Sequence, residues 1–132
     1  MPGLPEKDIL RFEQRLKQRR EQLRWLVHDA LLESKRDDYT KLADRVHDAG
    51  EESVAALLEG VNLALLEREV AELQDIEAAL ARIQDGGYGV CVDCGDAIAP
   101  ERLEAYPTAK RCIGCQSRHE NRRGGRDATP SL

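Results

Sequence analysis

The sequence predicts a mainly α-helical protein: a long antiparallel helical hairpin (a coiled coil), then a small four-cysteine zinc-finger module and a short C-terminal helix. Three observations predict it. Apolar residues recur at alternating steps of three and four along two long stretches. A charged turn, "VHDAGEES" at residues 46–53, separates those stretches. The four cysteines fall as two C-x-x-C pairs. Composition agrees: with 41% hydrophobic, 34% charged and only 4% aromatic residues, the chain suits thin helical seams better than one round core.

Residues 1–7, with two prolines and a glycine, read as a leader. From Asp8 to about Tyr39 there is neither Gly nor Pro, and Ile9, Phe12, Leu16, Leu23, Leu26 and Ala30 form a seam. Arg19 occupies its missing step. Asp8 is placed to cap this helix, and Trp25, beside Leu26, to pack in the seam. A second helix is expected from about Glu51 to Asp85, its seam made by Leu66, Leu73, Ile76, Leu80 and Ile83. Gly60 and Asn62 weaken its first turns. Together they make a hairpin over residues 8–85 with an acidic tip at 44–53, and arms of about 30 residues would span roughly 45 Å. Residues 86–121 are expected to form the finger and a short helix, and 122–132 a disordered tail.

Cys91 and Cys94 form one pair and Cys112 and Cys115 the other, with 17 residues between. Two thiolates on one tight turn reach one ion, and two such turns close a tetrahedral site. With no open position left for water, the zinc, one per chain, would be structural. Gly95 suits the first knuckle. A thioredoxin-like dithiol would need a βαβ unit, and none is legible. His119 follows closely enough to replace a cysteine, though nothing requires it. His28 and His47 stand isolated in the sequence.

The acidic turn has two readings. Asp48 or Ser53 would cap the second helix, with Gly50 allowing the turn and Glu51 and Glu52 favouring a helix N-terminus. Alternatively, three carboxylates at the far end of a rod would enter a cation-lined or metal-containing cavity of a partner.

Charge is uneven. From Asp44 to Asp85 eleven acids face three bases, whereas from Glu101 to Arg126 seven bases face three acids. A formal net charge of −5 argues against general nucleic-acid binding, although Arg118, Arg122, Arg123 and Arg126 form a basic stretch. No apolar run approaches the ~18 residues of a membrane span, and no secretion signal opens the chain, so reduced cysteines and the cytoplasm are expected. Phosphate-loop, nucleophile-elbow and H-E-x-x-H motifs are absent, which leaves no enzyme class supported.

The hairpin with its acidic tip, followed by "GYGVCVDCGDAIAPERLEAYPTAKRCIGC", resembles the DksA/TraR family of bacterial transcription regulators over about residues 44–120. The resemblance rests on "YG-x-C-x-x-CG", on "I-x-x-x-RLEA-x-PTA" from Ile98 to Ala109, and on the closing "RCIGC". It implies binding to RNA polymerase, insertion of the hairpin into the secondary channel, and modulation of promoter complexes through the tip, without sequence-specific DNA contact. The family's D-x-x-D-x-A tip motif falls here on Asp48, Glu51 and Ser53. Positions that bind the alarmone ppGpp in the family fall on Asp75, Tyr106 and Gln116, none cationic, although Arg68 and Arg102 nearby keep their charge. Little ppGpp dependence is therefore expected. The alternative reading is a zinc-finger interaction or DNA-binding module acting outside the polymerase channel. The seam can close within one chain, giving a monomer, or between two.

Overall fold

The computed structural model describes residues 4–124. Most of the expected tail at 122–132, with Arg126, and the start of the leader lie outside the described residues. Among these there are six α-helices: α1 (Glu6–Glu33), α2 (Asp37–His47), α3 (Val54–Leu57), α4 (Glu67–Asp85), α5 (Pro100–Ala105) and α6 (Ile113–Gly124). A 3-10 turn (Ala64–Leu66) leads into α4, and one isolated antiparallel bridge joins Val90 to Ala97. No helix among the described residues is long and apolar enough to cross a membrane.

The hairpin is α1 packed against α4. Phe12 and Leu16 from α1 and Leu73, Ile76 and Ala79 from α4 are buried in one core, whereas Leu80 and Ile83 of the expected seam are only partly buried because Ala79 takes the inner position. At about 1.5–3 kcal/mol for each fully buried side chain, this seam outweighs any exposed ion pair. Arg19, the interruption, does not leave a hole. Its guanidinium crosses to α4 and grips Glu72 with both arms, at 2.7 and 2.9 Å. That bidentate bond holds the Glu72 carboxyl below its usual range. Asp8 lies inside α1's first turn rather than capping it. The helix begins one turn earlier, behind Pro5, whose carbonyl accepts from Asp8 N and Ile9 N.

Beyond Leu23 the chain departs from the expected rod. Helix α1 ends at Glu33, Lys35 takes φ 60°, and α2 folds back along α1. Chain reversal thus occurs at residues 34–36, ahead of "VHDAGEES". Ser34 assists by turning its hydroxyl onto Leu31 O at 2.6 Å, which competes with the helix ladder. The new neighbour rotates α1's buried stripe. Val27 and Leu31 are buried where the seam expected Leu26 and Ala30, and Leu26 is 51% exposed. Trp25, expected in the seam, is 44% exposed.

The second arm is likewise shorter than expected: the expected helix from Glu51 becomes α3, an irregular stretch and the 3-10 turn, before α4 begins. Gly60, at φ 85°, and Asn62 fall in that stretch. Their poor helix propensity interrupts the helix, and Tyr39 Oη accepts from Asn62 N at 3.2 Å in the irregular stretch.

Gly86 ends α4 in the left-handed conformation, and the module turns back onto the hairpin base. Tyr88 is buried against Phe12, ring centroids 5.8 Å apart, and donates to Pro107 O at 2.7 Å. Leu103 of α5 is buried in the same core, and Leu4 packs against that core from the expected leader. Arg11 and Arg15 of α1 both pair with Glu104 of α5. Burial pushes the Tyr88 phenol up from 10 to about 12, against the opposing charge of Arg82. The folded state holds this proton more tightly than the unfolded chain. Its contribution is therefore complete below pH 10 and is lost as pH rises through about 12, at ~1.4 kcal/mol per pH unit at most. Denaturant unfolding between pH 9 and pH 12 will show that loss in the wild type, and Tyr88→Phe will remove this component of it.

Candidate metal centre and acidic loop

Each C-x-x-C pair lies on a turn fixed by backbone hydrogen bonds. Cys91 N donates to Asp96 O at 2.8 Å and Gly95 N to Cys91 O at 3.0 Å, closing the first knuckle, with Gly95 at φ 80°. The second knuckle opens α6, where Cys115 N points at Cys112 Sγ, 3.4 Å away. Val92 N reaches Lys110 O at 2.9 Å and joins the two turns. Arg102 of α5 donates to Arg111 O, and Arg111 to the Asp93 carboxylate at 2.7 Å, so α5 and both knuckles are braced together.

The four Sγ atoms of Cys91, Cys94, Cys112 and Cys115 lie within 4.8 Å of one another. Cys94 and Cys112 are 3.8 Å apart, the edge of a tetrahedron whose metal–sulfur bonds are about 2.3 Å. Electrostatics support the fit. Burial opposes ionisation of Cys91, yet backbone N–H groups bring its thiol down to about 6. Cys94 goes the other way, to about 12. Asp96 N–H favours its thiolate, but burial and the three neighbouring sulfurs outweigh that. Burial and neighbouring sulfurs push the Cys115 thiol up as well, and a divalent ion would offset this crowding of sulfurs. Arg118 Nη2, 3.1 Å from Cys115 Sγ, adds one charged donor to the sulfur shell. An all-thiolate, tetrahedral donor set fits zinc, held without an open coordination position. His119 is not a member of this cluster.

The acidic loop connects α2 to α3. Asp48 ends α2, is exposed, and is hydrogen-bonded to His47 Nδ1 at 2.9 Å. Glu51 is exposed, 3.8 Å from Arg20 Nη2. Ser53 caps α3, accepting from Ala56 N at 2.9 Å and donating to Glu77 Oε1 at 2.6 Å. The capping reading of this turn therefore applies to Ser53, on a helix of four residues. The two histidines that stand apart in the sequence meet here. Trp25 lies 5.2 Å from the His28 ring and 5.1 Å from the His47 ring, both edge-on, with the imidazoles 6.0 Å apart.

Three residues that sequence reasoning missed hold the loop: Arg20, Arg24 and Glu77. Arg24 is buried and donates to Gly50 O at 2.9 Å. Glu77 accepts from Ser53 Oγ and from Val54 N at 3.0 Å. Within "KQRREQLRW" nothing distinguishes a buried arginine from its solvated neighbours.

A profile of the prokaryotic dksA/traR C4-type zinc finger matches residues 86–121. The chain is 32% identical over 123 residues to the RNA polymerase-binding transcription factor DksA of Caulobacter vibrioides, across 92% of this chain and 82% of that protein. It belongs to the DksA/TraR family. Its identity to the Escherichia coli RNA polymerase-binding transcription factor DksA is 33% over 117 residues, 89% of this chain and 74% of that one. The structure of the transcription factor DksA2 from Pseudomonas aeruginosa superposes with a TM-score of 0.62 at 32% identity, covering 89% of this chain and 87% of that one. Family membership thus accounts for the helical hairpin with its C4 finger, which this chain builds from Cys91, Cys94, Cys112 and Cys115.

Chelation of the as-purified protein will release zinc and disorder residues 86–121, whereas the α1–α4 seam keeps most of the helical signal. Metal analysis and circular dichroism read the two effects separately. Cys115→Ser will do the same without chelator, and retention of zinc and fold by that variant would refute the four-thiolate assignment.

Proposed function

We propose that this chain is a non-enzymatic, cytoplasmic regulator that binds RNA polymerase and modulates promoter complexes through its acidic loop. The observation that carries the proposal is the combination in one chain of a C4 finger braced onto a helical hairpin and an exposed acidic loop, in a relative of DksA across nine-tenths of its length. One structural zinc per chain would fix the finger against the hairpin base, so that finger and hairpin present one rigid face to the polymerase. Asp48, Glu51 and Ser53 are assigned the regulatory work. The first two place carboxylates in solvent, and Ser53 orders the turn between them and α3. Inside the secondary channel these charges would act in a confined, poorly screened space on mobile elements near the catalytic metal. They would do so without sequence-specific contact to DNA.

Dependence on ppGpp is expected to be small. Asp75 and Tyr106 are exposed without positive charge, and Asp75 repels phosphate.

The test compares wild type with Asp48→Asn. Both will bind core RNA polymerase with equal affinity, and only the wild type will change promoter-complex lifetime. Absence of binding by either would overturn the proposal, and salt-sensitive binding to promoter DNA alone would favour a DNA-binding finger instead.

A further inference from the structure

In the folded-back arrangement the acidic loop lies beside Arg20 and Arg24, well inside the length of α1. A rod carrying its effector there cannot lead with it into a narrow channel. The contacts that keep it there are unusual. Arg24 is 7% exposed, with its Nε 3.7 Å from Glu21 Oε1 on the same helix, and Arg20 buries an Nε that has no hydrogen bond among the described residues. A buried guanidinium is an uncommon way to seat a loop, and here it donates to the Gly50 carbonyl. Backbone strain lies at the other end of α2, where Lys35 takes φ 60° although it is not glycine. Yet no Gly or Pro occurs from Glu6 to Ala49, so nothing in the covalent chain forbids one helix through Glu6 to His47. Such a helix would be about 63 Å long, against about 42 Å for α1 alone.

We infer that this structure is a closed, autoinhibited state. An Arg20/Arg24 clasp holds the acidic loop against α1, the hinge is Ser34–Arg36, and opening carries Asp48 and Glu51 to the end of a continuous α1–α2 helix. The inference rests on the reading of that loop as the polymerase effector. Closure is favoured by apolar burial: Ala43, Val46 and Ala49 are covered together with Leu23, Val27 and Leu31. Opening is favoured by release of Lys35 from the left-handed region. The balance tips when another surface covers the exposed stripe, so binding and opening are coupled.

Trp25 is the chain's one tryptophan, and its His47 neighbour belongs to α2, so its emission reports the departure of that helix. The experiment uses the full zinc-loaded chain as wild type, Arg24→Met and Lys35→Gly. Arg24→Met removes the donor to Gly50 O but keeps an apolar stem. Lys35→Gly relieves the left-handed residue and disfavours a continuous helix. Circular dichroism and zinc content first establish that each variant is folded. X-ray scattering, Trp25 emission and affinity for core RNA polymerase are then measured. Arg24→Met is expected to lengthen the particle, shift Trp25 emission and bind polymerase about five- to tenfold more tightly, and Lys35→Gly to stay compact and bind more weakly by a similar factor. Unchanged dimensions and emission in Arg24→Met would overturn the clasp, whatever the affinities. Changed dimensions with unchanged affinity would overturn autoinhibition. If dimensions change but no form binds polymerase, the hinge stands and the polymerase reading falls.

Discussion

The apolar contact between α1 and α4 positions the base of the molecule, where the finger docks. Phe12, Leu16, Leu73, Ile76 and Ala79 make a seam that commits two distant segments to lie antiparallel. The finger docks where that seam ends, with Tyr88 against Phe12 and Leu103 in the same core. Ion pairs decorate this arrangement without creating it. Arg11 and Arg15 to Glu104, and Arg19 to Glu72, join surfaces that apolar burial has already brought together, and exposed pairs alone contribute little. Their value is registry, because a bidentate arm such as Arg19 fixes the axial position of α4 against α1.

The finger solves a different problem. Residues 86–121 contain few apolar groups, and only some of them reach the core. The segment instead converges four sulfurs, and crowding makes them compete for charge. Metal binding and folding are therefore one event in this module. A brace of arginines links the metal site to α5, which is itself held to α1. The two knuckles are thus tied through Arg111 and Arg102 to the base of the hairpin.

A third physical regime governs the acidic loop. Polar contacts hold it over a buried apolar stripe, and the connecting turn contains a left-handed lysine. Elements with such internal conflict are where conformational change concentrates, because no single arrangement satisfies all their groups. The exposed carboxylates belong to this least settled part of the fold, at the opposite extreme from the zinc module.

Local chemistry made the fold class, most of the apolar seam below Leu23, the stop at Gly86 and the gathering of four cysteines legible in the sequence. Heptad spacing reports directly which face of a helix is buried, and paired C-x-x-C turns carry their own geometry. What the sequence could not settle was which helix would pair with which. The steps at Leu26 and Ala30 fit a straight coiled coil, but the apolar side chains of Val27 and Leu31 serve equally well once α2 is the partner. That choice rests on competition between long-range packings. It also set the exposure of Trp25, the meeting of His28 with His47, and the burial of Arg24. Residue types and spacing along the chain determined the finger and the seam. Only tertiary structure decided where the acidic loop would rest, because that depends on the free energy of a whole arrangement and not on any residue within it.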